Sequence, residues 1–91
     1  MIIIGQNNDV IINFNQIRGI YIEDLDPEYM QPDKFRIVAD GGNAIFPLGR
    51  YTTEEKAKKV LIGIGKTIAR HIEDKKFYYN FCELPVDEEV K

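Results

Sequence analysis

A chain of 91 residues with 44% hydrophobic and 11% aromatic content is one domain's worth of foldable polymer, because a disordered chain would hold far fewer Ile, Phe and Tyr. At this size only somewhat more than ~60% of the unfolded surface is buried, which leaves little room beside the core for a deep, walled active site. Twelve bases against fifteen acids give a net charge of −3, which argues against a general nucleic-acid binder; the lone Cys82 excludes an intrachain disulfide and a cysteine-built zinc site.

The longest apolar run near the N-terminus, Met1–Ile4, is too short for a signal peptide or a membrane span, so a cytoplasmic protein is expected. Met1–Gly5 and Val10–Phe14 flank the polar turn Gln6-Asn7-Asn8-Asp9 and read as a hairpin. With Asn7-Asn8 as the loop, Ile3 faces Ile12 and Met1 faces Phe14, placing Met1, Ile3, Val10, Ile12 and Phe14 on one face. Asn tolerates the left-handed backbone that such a turn needs. Arg18–Glu23 reads as a strand with Ile20 and Ile22 inward and Tyr21 outward. Pro27 and Pro32 then break the segment from Asp24 to Lys34, leaving room for one helical turn at Pro27–Met30.

A second hairpin brackets Gly41-Gly42, with positive φ expected at the glycines. Pairing outward from that turn matches Ala39 with Ala44, Ile37 with Phe46 and Phe35 with Leu48, all on one face. Pro47 donates no ladder hydrogen bond, so its strand is expected at an edge or bent. The helix is expected to begin at Thr52, in a capping box with Glu55. Ala57, Val60, Leu61, Ile64, Ile68 and Ile72 form one stripe at 3.6-residue spacing, with Glu55, Lys59, Lys66, Arg70 and Glu73 opposite. Gly63 and Gly65 weaken its middle, and close approach of helix to sheet is one explanation for Gly65. Phe77–Cys82 alternates as a last strand. The expected fold is therefore α+β: an antiparallel sheet of about five to six strands, able to curl into a half-barrel, on one long amphipathic helix near the C-terminus. Residues 1–86 form the domain and 87–91 a frayed acidic tail.

Few residues form a pattern with chemical meaning. Gly63-Ile64-Gly65-Lys66-Thr67 ends like a phosphate-binding loop, but the pattern needs glycine where Val60 stands, and a strand there would break the helical stripe. His71 and Cys82 lack a glycine-rich oxyanion turn beside them. Asp24, Asp26 and Glu28 alternate, but a calcium loop begun at Asp24 would need Gly and Glu where Tyr29 and Phe35 stand. No catalytic residue, metal ligand, cofactor or small-molecule substrate is expected, and the protein is read as a non-enzyme.

Charge and apolar surface point instead to partners. Glu23, Asp24, Asp26, Glu28 and Asp33 cluster with no base among them, as an acidic docking loop would. Lys56, Lys59, Lys66 and Arg70 lie on the helix, where a basic face with Tyr78 or Tyr79 as stacking platforms could hold nucleic acid. Ile2, Ile4, Ile11, Val38 and Ile45 fall opposite the assigned core face, and the last strand carries aromatics on both faces, Tyr78 among them. A sheet apolar on both sides needs a second cover: its own curl, a homodimer or a partner.

The Ile-rich opening with Gln6 and Asn7 carries a resemblance, as does Leu48-Gly49-Arg50-Tyr51-Thr52-Thr53-Glu54-Glu55-Lys56-Ala57 running into Val60-Leu61. An aromatic strand follows, then Leu84-Pro85-Val86-Asp87-Glu88-Glu89-Val90. Together these resemble a family of small uncharacterised proteins from phages, prophages and mobile elements of Gram-positive bacteria. That family commonly has Met before the proline, where this chain has Leu84. The resemblance implies no catalytic residue. The expectation is a protein-interaction module, an accessory protein of a mobile element. Alternatives are a nucleic-acid binder through the basic helix face, and an inhibitor of a host defence protein using the acidic loop 23–33 as a nucleic-acid mimic, with Asp24, Asp26, Glu28 and Tyr29 as candidate partner contacts.

Overall fold

The structure is a computed structural model that describes residues 2–25, 34–73 and 81–90, the side chains at 71–73 and 81 excepted. Its strands are β1 (Ile2–Ile4), β2 (Ile11–Asn13), β3 (Gly19–Asp24), β4 (Phe35–Asp40), β5 (Ile45–Tyr51) and β6 (Phe81–Glu83), with helix α1 (Glu54–Glu73) between β5 and β6. The chain is an α+β protein, but its strands do not form one sheet. They divide into two open sheets of three, β2-β1-β6 and β3-β4-β5.

The first hairpin has the register its alternation dictates: Ile3 pairs with Ile12, flanked by Ile2 with Asn13 and Ile4 with Ile11. Gly5 and Asn8 close the turn through an N–H to carbonyl bond of 3.0 Å, and Asn8 takes a φ of 58°. The other neighbour of β1 is β6, which runs parallel, with Ile3 beside Cys82. A parallel pair needs a long crossover, here the whole chain from the first turn through α1. Local alternation carries no sign of it. The expected Met1 pairing lies outside the described residues, as do positions 26–33 and 74–80.

In the second sheet, Ile20 and Ile22 pair with Ala39 and Ile37 and turn inward, while Tyr21 stays exposed. The glycine hairpin departs from its expected register. Ala39 faces Phe46, not Ala44, and a bulge between Ile37 and Val38 then sets Ile37 opposite Gly49 and Phe35 opposite Tyr51. The cause lies in the turn, which spans four residues. The Asp40 carboxylate accepts the Gly42 N–H at 2.8 Å, and the Gly41 N–H reaches Ala44 O at 2.8 Å. Only Gly42 uses positive φ, at 89°. Gly41 is needed for space, since a Cβ there would lie 2.8 Å from the Phe46 ring. Beyond the bulge the alternation flips, and Tyr51 enters the core beside Leu48. Pro47 sits on the edge strand β5, where its missing donor costs nothing.

Helix α1 packs on β3, β4 and β5 through Ala57, Val60 and Ile64, with Leu61 and Ile68 partly buried. Its cap is Thr53, not Thr52. The Thr53 hydroxyl accepts the Lys56 N–H at 3.2 Å, so Glu55 has no place in a reciprocal box. A Cβ at Gly63 or Gly65 would meet nothing within 4 Å, so close packing does not explain either glycine. The end of the chain is not frayed through residue 90. Asp87–Glu89 form a 3₁₀ turn, and Leu84 and Val90 are buried in the same core as Ile3 and Ile37.

Candidate functional site

Pairing register assigns the outer face of the first sheet. Ile2, Ile4 and Ile11 share it with Asn13 and Glu83, because each lies an even step from the others across the ladder. Ile11 is 68% exposed and Ile2 43%, while Ile4 between them is half-buried. On β5, Ile45 is 50% exposed and Phe46 38%. A cleft of about 570 Å³ runs between β2 and the glycine hairpin, lined by Ile11, Ile12, Ile17, Gly41 and Phe46 with Asp9 and Gln16 at its rim. Ile11 and Phe46 are thus two walls of one apolar depression. Phe46 pairs with core residue Ala39 and so keeps the face its alternation dictates, yet at the hairpin end of β5 it is 38% exposed.

Val38 does not belong to this surface. It lies on the outer face of its sheet, opposite Tyr21 and Pro47, yet it is completely buried. Val38 stands on the central strand β4 with a neighbour on each side, a position that a pattern along one strand does not reveal.

A second cluster joins distant parts of the chain through backbone groups. The Gln6 carboxamide donates to the carbonyls of Arg50 at 3.0 Å and Pro85 at 3.3 Å, and its oxygen accepts the Arg50 N–H at 2.9 Å. The Gln6 N–H adds a 2.6 Å bond to Leu48 O. Just past the end of β5, the Asp87 carboxylate accepts the Thr52 N–H at 2.8 Å and the Thr52 hydroxyl, and pairs with Lys56 at 3.1 Å. Gln6 therefore occupies the outward edge of β5 in place of a further strand, and Asp87 holds the residue just beyond it. The Asp87 carboxyl lies below the usual carboxylate range, chiefly through the Thr52 N–H and then through Lys56 and the Thr52 hydroxyl, against an opposing effect of burial. Buried Tyr51 donates to Pro85 O at 2.7 Å, and burial, with the charges of Asp87 and Glu89, raises its phenol pKa. These polar groups satisfy one another, so the cluster is a clasp rather than a reactive centre. Spacing in the sequence could not have found it, since its members lie up to 79 residues apart.

The other candidates separate. Lys56 is committed to Asp87, through its carboxylate and at 3.2 Å through its carbonyl, while Lys59, Lys66 and Arg70 stand exposed on α1. Of the acidic loop, Glu23 is bound to Arg36 at 2.6 Å and Asp24 is exposed. Asp26, Glu28, Tyr29 and Tyr78 lie outside the described residues, as does the His71 side chain. Positions 60–67 are continuous α-helix, so no phosphate loop is formed there. Cys82 faces the core beside Ile3, and burial pushes its thiol pKa up despite a hydrogen bond with Thr67, the reverse of an activated nucleophile. Among the described residues no helix is long and apolar enough to cross a membrane. Comparison with protein-family models, with curated proteins and with solved structures finds no match to this chain.

Proposed function

We propose that this protein is a non-catalytic interaction module that receives an apolar segment of a protein partner against Ile2, Ile11 and Phe46. The observation that carries the proposal is the 68% exposure of Ile11 at the wall of the cleft it shares with Phe46. An isoleucine there contributes nothing to the core, whereas covering it removes apolar surface from water at about 25 cal/mol per Å². The resemblance to small phage and mobile-element proteins agrees with an accessory role in the host cytoplasm.

The test is Ile11→Asp. Its side chain points outward, so the thermal midpoint should stay near the parent's while binding of an apolar dye and capture of partner from native-host extract are both lost. Dye binding and capture unchanged in a folded Ile11→Asp protein would refute the assignment. Salt-sensitive retention on heparin, abolished by Lys66→Glu with Arg70→Glu, would move the function to the helix face.

A further inference from the structure

The two edges of the larger sheet are treated differently. Gln6 closes the β5 edge and Asp87 holds the residue just beyond it, whereas among the described residues nothing pairs with the outer edge of β3. Leu25 N–H bonds Lys34 O at 2.8 Å in continuation of the β3–β4 register, so residues 19, 21, 23 and 25 direct their backbone groups to β4. Those of Ile20, Ile22 and Asp24 consequently point away from the sheet. An open edge is usually guarded by proline, lysine or a bulge. β3, reading Gly-Ile-Tyr-Ile-Glu-Asp, has none of them in its described pairing, and its charges, Glu23 and Asp24, sit together at one end.

We infer that a second copy of this chain occupies this edge, its β3 antiparallel to the first about a two-fold axis through Tyr21. The argument is complementarity of the strand with itself. Only pairing between outward-pointing residues forms ladder bonds, which restricts the register to even steps. Centred on Tyr21, the pairing sets Ile20 against the partner's Ile22, Tyr21 against the partner's Tyr21, and Arg18 against the partner's Asp24. Ile20 and Ile22 meet apolar partners, Tyr21 meets Tyr21, Arg18 meets its opposite charge, and Glu23, already paired with Arg36 of its own chain, falls opposite the partner's Gly19. The Arg18 N–H turns back to Asp40 O at 2.7 Å, so the ladder rests on Ile20 and Ile22 and the Arg18 contact is one of side chains. Shifted one step either way, the register puts Ile20 against the partner's Asp24, or Arg18 against the partner's Ile22. Arg18 and Asp24 are exposed, and neither takes part in an ion pair among the described residues. The tyrosines meet at a non-hydrogen-bonded position, where cross-strand side chains approach most closely. The sheet becomes six-stranded, closed at both ends by Gln6. This surface is separate from the Ile11 cleft, and either can fail without the other.

Charge exchange tests the register. Light scattering across a concentration series should show a dimer whose dissociation constant rises about tenfold or more in Arg18→Asp and in Asp24→Arg, since each creates two like-charge contacts. Mixing the two variants should restore dimer. Across the axis, the carboxylate introduced at position 18 then meets the guanidinium introduced at position 24, and the native Arg18 of one chain meets the native Asp24 of the other. Ile11→Asp should leave the dimer intact. A monomer at millimolar concentration, or a dimer indifferent to both substitutions, would overturn the inference. So would single-variant weakening without recovery on mixing, even with native circular dichroism.

Discussion

Replacing Gln6 by Ala removes three side-chain hydrogen bonds, at 2.9, 3.0 and 3.3 Å, that hold the first turn to β5 and to the C-terminal segment. Each such bond contributes about 1 kcal/mol net, and the longest of them less. The groups released are backbone N–H and C=O beside an open cleft of about 840 Å³, so water can partly replace the lost partner. The expected loss is therefore about 2–3 kcal/mol, a large share of the roughly 5–10 kcal/mol available to a domain of this size. Urea denaturation should show a lower midpoint at unchanged slope, and the melting temperature should fall by about 10–20 °C. Gln6→Glu separates bonding from volume. It keeps an acceptor for the Arg50 N–H but sets a carboxylate against the carbonyls of Arg50 and Pro85, so it should not rescue. A loss below about 0.5 kcal/mol in Gln6→Ala, or full stability in Gln6→Glu, would refute the clasp.

Asp87 gives a pH signature. Its carboxyl pKa is lowered in the folded state, so its contribution is complete above the unfolded value of about 4 and disappears as pH falls through the folded one. The stability gap between the parent and Asp87→Ala, from urea midpoints, should be widest near neutrality and shrink below about pH 4; a gap independent of pH would contradict this. Gly63→Ala and Gly65→Ala place a methyl in open space on α1, so each should stabilise the protein by about 1 kcal/mol and the two should add. Melting curves would decide, and a drop in either would mean the helix surface is occupied. Cys82 should react slowly with an aromatic disulfide reagent in the native protein and rapidly in denaturant, since burial both shields the thiol and raises its pKa. Equal rates would be inconsistent with its place beside Ile3.

The amino-acid sequence displays whatever depends on neighbours in the chain. The Ile3–Ile12 register followed from alternation and a polar turn. The stripe from Ala57 to Ile68 followed from helical spacing, and the inward Ile20 and Ile22 from period two. Sequence pattern and structure part where distant groups decide. Thr52 has the residue type of a cap, but its hydroxyl and N–H both go to Asp87, 35 residues away, and Thr53 caps the helix. The glycine hairpin looked like a two-residue loop, yet the Asp40 carboxylate stabilises a wider turn and shifts the register. Val38 alternated as surface and is buried between flanking strands. The acidic end looked solvated, but Leu84 and Val90 bury themselves and bring Asp87 with them.

The sequence by itself determined the class of the fold, the identity of one core face on each hairpin and an excess of isoleucine beyond what that core uses. Periodicity and turn chemistry are local, so one chain displays them. Tertiary structure alone decided that the strands divide into two sheets, that β6 lies parallel to β1, and that one edge is clasped by Gln6 and Asp87. Hydrogen bonds between segments tens of residues apart carry no spacing rule. The same holds for surface: composition announced uncovered isoleucines, but only packing showed Val38 enclosed while Ile11 and Phe46 remain open around one cleft.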